Sequence, residues 1–275
     1  MKKRSFLERF AAVPHTFWAL LFIIAPLLFV AYFAFTDAYG AFTLDNITML
    51  SGYTHIFVLS ICFALIATTI CLLIGYPLAY FISQLSPKKQ KILIVFLMLP
   101  MWISLLIRTY SLMAILDNGG LLNSLLDTLG LAKVKIVGTS GAVILGMVYD
   151  FLPYMVLPIY TSMSKLDKRY YEAASDLGCN SVKTLFKVTL PLSLPGIISG
   201  ITMVFVPSIS TFYISQKLGG GSFDLIGDTI ERQFKNVSTY NVGAAISLVM
   251  MILILISVAV MNRFSDGDER GGMIV

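Results

Sequence analysis

Residues 165–191 read Lys165-Leu-Asp-Lys-Arg-Tyr-Tyr-Glu-Ala-Ala-Ser-Asp-Leu-Gly-Cys-Asn-Ser-Val-Lys-Thr-Leu-Phe-Lys-Val-Thr-Leu-Pro191. This polar stretch is bounded on both sides by long apolar runs. Asp167 is placed to cap a short helix that begins at Lys168. Glu172 stands i+4 from Lys168 and i+3 from Arg169, spacings that put opposite charges side by side on a helix. Ala173 and Ala174 favour helix and add almost no bulk. Gly178 suits the left-handed residue that closes a helix. Asn180 or Ser181 can cap a second short helix, and Pro191 leads out of it. The expected result is a helix, a sharp break, and a second helix lying against a membrane. Composition alone also allows an ordinary amphipathic loop between spans.

The flanks decide the setting. Of 275 residues, 57% are hydrophobic and 13% charged, against about a quarter charged in soluble domains. Mean hydropathy is +0.83. A soluble enzyme, a nucleic-acid binder and a disordered regulator are excluded, because a soluble fold must face water with much of its chain. A bilayer core takes about 20 apolar residues as helix. On that measure six spans are expected near 17–36, 56–83, 92–116, 137–163, 192–216 and 240–262. Residues 46–55 carry Asn46, Thr48, Ser51, Gly52 and His55 and read as a loop. Lys2, Lys3, Arg4 and Arg9 precede the first span, which is longer than a signal-peptide core and reads as an uncleaved anchor. With the N-terminus inside, the inner segments hold 14 Lys or Arg and the outer ones 5. That bias predicts both termini in the cytoplasm, with 168–185 on the same side. Cys62, Cys71 and Cys179 form neither a metal spacing nor a paired framework.

Glu172-Ala173-Ala174, then Gly178, then Val188-Thr189-Leu190-Pro191 resembles the EAA motif of ABC-transporter permeases, E-A-A-x-x-x-G, nine residues, then I-x-L-P. Val188 in place of Ile is the single departure. Leu99-Pro-Met-Trp-Ile-Ser-Leu-Leu-Ile-Arg-Thr-Tyr110, Gly75-Tyr-Pro-Leu-Ala-Tyr80 and Leu152-Pro-Tyr-Met-Val-Leu-Pro158 look like span segments of the permeases that import spermidine and putrescine. Those patterns are shared in part with importers of iron, thiamine and other small solutes. The resemblance implies an all-α type I importer fold in a bacterial inner membrane, working by alternating access. It also implies that Glu172, Ala173, Ala174, Gly178, Leu190 and Pro191 couple to an ATPase. The implied partners are two ATPase subunits that use ATP and Mg, a second and different permease chain of similar fold, and a periplasmic or extracellular polyamine-binding protein.

No G-x-x-x-x-G-K-[ST] loop occurs in the chain, so ATP hydrolysis belongs to a partner, and neither a cofactor, a metal nor a nucleic acid is expected on this one. Asp150 is the one acid inside an expected span. An isolated carboxylate in hydrocarbon costs several kcal/mol, so it needs a polar cavity or a partner. It reads as a counter-charge for a cationic amine, as the partner of Arg108, or as an acid at a helix break made by Pro153. Trp102, Tyr110, Tyr149, Tyr154 and Tyr213, with Phe151 and Phe212, gather near these breaks. Aromatic faces hold ammonium groups, but also form interfacial belts. Prolines 26, 77, 100, 153, 158, 195 and 207 fall in or at spans, which favours broken helices lining a pathway. A secondary transporter shares those prolines, without needing a docking loop. A membrane enzyme fits poorly, since His15 and His55 are the only histidines.

Overall fold

The computed structural model describes Pro14 and Thr16–Gly271, without the side chains of Lys168 and of residues 264–271. Lys2, Lys3, Arg4, Arg9 and His15 lie outside the described residues. Among the described residues the regular secondary structure is all helical, apart from an isolated bridge between Thr36 and Phe42. In order, the helices are α1 (Thr16–Ala34), α2 (Thr54–Ser83), α3 (Pro87–Met98), α4 (Leu105–Leu116), α5 (Leu121–Thr128), α6 (Ser140–Ser164), α7 (Lys168–Asp176), α8 (Ser181–Leu192), α9 (Leu194–Ser210), α10 (Tyr213–Leu218), α11 (Ile226–Lys235) and α12 (Tyr240–Gly271). Among the described residues four helices are long and apolar enough to cross a membrane, or up to six if each of two bent pairs is one span.

The expected spans change in four places. Residues 92–116 are not one helix. A short 3-10 turn at Leu99–Trp102 follows Pro100, Ile103 and Ser104 are extended, and the two halves bend by 93°. The expected fifth span ends at Ser210 rather than 216. Thr211 is extended, and the returning chain at Gly227 lies so close that a Cβ there would sit 2.6 Å from the Thr211 carbonyl oxygen. Residues 46–55 are short helical turns leading into α2, not a loop. Pro153 makes no break: α6 runs unbroken through it and through Pro158.

The chain forms two compact units. In the smaller, built from the described residues up to His55 with Thr229–Leu253, Ala34, Ala244 and Ala245 form the core. Asn46 donates to the Ala34 and Thr36 carbonyls, so a buried polar side chain is satisfied. In the larger, Ile56–Asp228 with the residues from Ile254 on, the core is centred on α6, where Met147, Met155, Val156 and Ile159 are fully buried. Gly196 and Gly200 of α9 let that helix meet α6 backbone to backbone. A Cβ on Gly196 would lie 2.7 Å from the Pro158 oxygen, and one on Gly200 would lie 3.0 Å from the Met155 oxygen. This is the small-xxx-small device by which membrane helices gain contact area without a hydrophobic driving force.

Candidate coupling surface and transport pathway

The local signals of residues 165–191 act as their chemistry requires. The Asp167 carboxylate accepts the Arg169 N–H at 3.0 Å. At the other end, the Gly178 N–H reaches the Ser175 carbonyl and the Cys179 N–H reaches the Ala174 carbonyl, both at 2.9 Å. This Schellman closure needs a left-handed residue, and Gly178 supplies φ +71° with no atom near its missing Cβ. Asn180 caps the next turn by accepting the Lys183 N–H at 2.8 Å. Pro191 cannot donate, and its ring presses on the carbonyl one turn back. Residues Leu185–Thr189 widen to a π-turn just ahead of it. A 70° bend follows at Ser193, whose hydroxyl lies 3.1 Å from the Leu190 carbonyl and 3.4 Å from the Tyr76 hydroxyl.

The surface of this segment is apolar where soluble loops are polar. Tyr170, Leu177, Val182 and Phe186 are all exposed, Leu177 by 83%. Glu172 and Ala173 face outward beside them, and Pro191 is exposed with Leu190 half-buried. Ala174 faces the opposite way: its methyl is buried in this chain, so Ala173 rather than Ala174 is free to meet a partner. Behind α7, a crevice of about 510 Å³ is lined by Ser83, Gln90, Ser164, Tyr171 and Glu172. Gln90 bridges the Ser83 and Leu85 carbonyls and accepts from the Tyr160 hydroxyl at 2.9 Å, which pins the turn before α3 to α6.

Within the bundle, Asp150 is fully buried and Arg108 is 5% exposed. The Arg108 Nη1 lies 3.3 Å from Asp150 Oδ1 and 3.4 Å from the Asp150 carbonyl oxygen. The Thr109 hydroxyl lies 3.2 Å from Oδ2. The carboxylate is thus held by α4 rather than turned toward open space.

The five candidate pathway aromatics separate. Tyr110 of α4 and Tyr213 of α10 meet edge to face, centroids 5.8 Å apart. Lys217 Nζ lies 5.1 Å from the Tyr110 centroid and 5.7 Å from that of Tyr213. Tyr154 lines a groove of about 670 Å³ between α6 and α9, with Pro158, Ser162, Lys165, Gly196 and Met203. Trp102 and Tyr149 are exposed and join no other ring among the described residues. Sequence reading passed over two features. One is Gly196-x-x-x-Gly200, whose spacing is visible in the sequence. The other is Lys217, which only the fold brings to Tyr110.

Residues 72–268 match the family described as binding-protein-dependent transport system inner membrane component. The spermidine/putrescine transport system permease protein PotB of Escherichia coli (strain K12) is 39% identical over 258 residues, spanning 90% of this chain and 94% of that one. The protein of the same description from Haemophilus influenzae is 37% identical over 256 residues, covering 90% of each. In fold, the chain is similar to a bacterial ABC transporter that imports the acidic polysaccharide alginate, with a TM-score of 0.77 at 20% identity and 96% of each chain covered. On a match spanning most of its length and on that identity to curated permeases, this chain belongs to the family of inner-membrane components of binding-protein-dependent transport systems.

Proposed function

We propose that the chain is a permease subunit of an ATP-driven polyamine importer of the bacterial inner membrane. The relatives that support the cargo are permeases of spermidine/putrescine systems at 37–39% identity. The observation that carries the coupling role is α7: a helix capped at both ends, closed by a left-handed Gly178, presenting Ala173 and Leu177 outward beside exposed Val182 and Phe186. A short rigid helix with an apolar outer face is built to sit in a partner's groove. Two ATPase subunits using ATP and Mg, a second permease and an external binding protein complete the assembly. Both termini and the α7–α8 segment lie in the cytoplasm, and α10 and α11 face the outside.

In the cycle, closure of the ATPase pair displaces α7. The motion passes through α8 and the Ser193 bend into α9, turning the bundle from inward-open to outward-open. Coupling of this kind requires the ATP-bound partner to favour one state over the other. Glu172, Ala173, Gly178, Leu190 and Pro191 form or shape the docking segment, and Ala174 seats it on the chain. Asp150 is an internal brace. Contacts to a cationic cargo come from aromatic faces, with Tyr110, Tyr213, Tyr154, Trp102 and Tyr149 along the pathway.

The test is co-expression with the importer's ATPase, capture on a tag carried by this chain, and uptake of labelled spermidine. Gly178→Asp leaves insertion intact, strips the ATPase from the captured complex and abolishes uptake. Wild-type capture and uptake by that variant would overturn the docking role, and a wild-type complex that imports no polyamine would overturn the cargo.

A further inference from the structure

Tyr213 and Lys217 are i, i+4 on α10 and so share one face of it. The adjacent face, one residue round the helix, carries Ile214 and Leu218, both fully buried. They seat on α6 at Gly146, where a Cβ would lie 2.3 Å from Leu218 Cδ1 and 2.9 Å from Ile214 Cγ2. That seat leaves α10 little freedom to roll, and it sends the Lys217 ammonium over the two tyrosine rings. Tyr110 is 45% exposed, so the rings stand at an accessible surface rather than in the core. Among the described residues Lys217 has no carboxylate partner. Its charge is met by the Tyr110 hydroxyl and the two ring faces.

We propose that Tyr110 and Tyr213 form an ammonium-binding subsite of the pathway, and that Lys217 is its tethered occupant, displaced by a terminal ammonium of the cargo. The inference rests on the polyamine reading above. The chemistry of the two ligands is the same: a lysine side chain is a primary ammonium on a four-carbon chain, and so is each end of a butane diamine. A site that accepts one accepts the other, because the ring quadrupoles and the Tyr110 hydroxyl act on the ammonium group that both ligands carry. The occupant is also able to leave. Lys217 itself needs only a side-chain rotation to vacate the rings. A tethered competitor lowers the apparent affinity for cargo in proportion to its own occupancy. A subsite of this kind holds a polycation briefly and then gives it up, as a transport pathway requires.

The test uses the assembled permease–ATPase complex in lipid nanodiscs, with equilibrium dialysis of labelled spermidine. Lys217→Met keeps the length of the side chain and removes the charge, so the dissociation constant falls about three- to tenfold. Lys217→Arg stacks better on rings and binds spermidine no more tightly than wild type. Adding Tyr110→Leu to Lys217→Met cancels the gain. A lysine that merely steadies α10 would instead lower the thermal midpoint in the Met variant, without ordering the affinities Met, Lys, Arg. Lys217→Gln serves as a second charge-free variant if the Met form is poorly folded. Unchanged, weaker or undetectable spermidine binding by the charge-free variants, or a gain that survives loss of Tyr110, overturns the proposal. Spermidine uptake by the wild-type importer with its binding protein is measured in parallel. Its absence overturns the cargo reading itself, an outcome separate from failure of the occupant.

Discussion

Asp150→Asn removes a charge and almost no volume, so its effect isolates electrostatics. The carboxylate is fully buried, the guanidinium of Arg108 is 5% exposed, and their closest atoms are 3.3 Å apart. Water therefore cannot solvate the guanidinium in place of the carboxylate when that charge is lost. Removing one partner of a buried pair costs about 3–5 kcal/mol, because the other charge is left uncompensated. At about 2–4 °C per kcal/mol for a domain of comparable size, the thermal midpoint falls by about 6–20 °C. Arg108→Gln alone falls by a similar amount, since Asp150 then keeps only the Thr109 hydroxyl at 3.2 Å. The double variant carries two neutral amide side chains in the same space and recovers most of the loss, as replacement of a whole buried pair is often nearly neutral. The assay is aggregation on heating in detergent, read by size-exclusion chromatography, with spermidine uptake normalised to the assembled complex. Two results refute the reasoning. One is an Asp150→Asn protein of wild-type stability with an altered transport KM, which would make the residue a cargo contact. The other is a double variant as unstable as the two single losses added together.

Gly200→Val drives a branched side chain into the Met155 backbone, where even a Cβ would lie 3.0 Å from the carbonyl oxygen; yield of folded protein should drop sharply, with a cost of about 1–3 kcal/mol or more. Gly178→Ala meets no neighbour and is strained only by its φ of +71°, so it should cost about 1 kcal/mol and keep most of the ATPase in the captured complex. Asp228 lies outside the spans, 6% exposed, with its carboxylate accepting the Leu225 N–H at 2.9 Å. Burial raises its pKa from 3.8 to about 6 against the pull of that hydrogen bond. The folded chain thus holds the proton more tightly than the unfolded one, so this contribution to stability is full below about pH 4 and is lost as pH rises through about 6. Asp228→Asn should flatten that decline in thermal midpoint, and an unchanged pH profile would count against it. In a background lacking Cys62, Cys71 and Cys179, single cysteines at Ser124 and Ser238 should react with an impermeant reagent in intact cells, and those at Ser86 and Ser265 should not; labelling at 86 would reverse the proposed orientation.

The helix–break–helix of residues 165–191 was legible in the sequence because each of its signals is local. A cap reads its own N–H groups, and a Schellman closure needs only one residue that tolerates positive φ, so Asp167, Gly178 and Asn180 specify the helix, the break and the second helix with little help from elsewhere. The prolines were not legible in this way. Pro100 and Pro153 look alike in an apolar run, yet the chain bends at one and runs straight through the other. At Pro153 and Pro158 the surrounding helix is clasped by α9 through Gly196 and Gly200, and that support comes from residues far along the chain. Beyond Pro100 the chain is extended at Ile103 and Ser104. The direction of Ala174 was hidden for the same reason, since which face of an amphipathic helix turns inward depends on what packs beneath it.

α6 is the element through which the two ends of the proposed cycle communicate. One stretch of this helix carries the seat of α10 at Gly146, the partner of Arg108 at Asp150, and the backbone contacts of α9 at Met155 and Pro158. α4, which brings Tyr110, is fixed to α6 by the buried ion pair. α10, which brings Tyr213 and Lys217, is fixed to it by a glycine with no room for a side chain. In the proposed cycle α9 receives the push from α8. Contacts made at backbone distance do not slide easily, because sliding would drive side chains into main-chain atoms. A displacement that reaches α9 from the docking segment therefore moves α6 with it, and through α6 both helices that hold the aromatic pair. A substitution that loosens the α6–α9 contact, such as Met155→Ala, whose side chain lies against Gly200 of α9 and also against Gly75 of α2, separates these events: ATPase capture persists because α7 is untouched, while ATP turnover ceases to accelerate uptake. Uptake that stays fully coupled in that variant would mean the motion reaches the pathway by another helix.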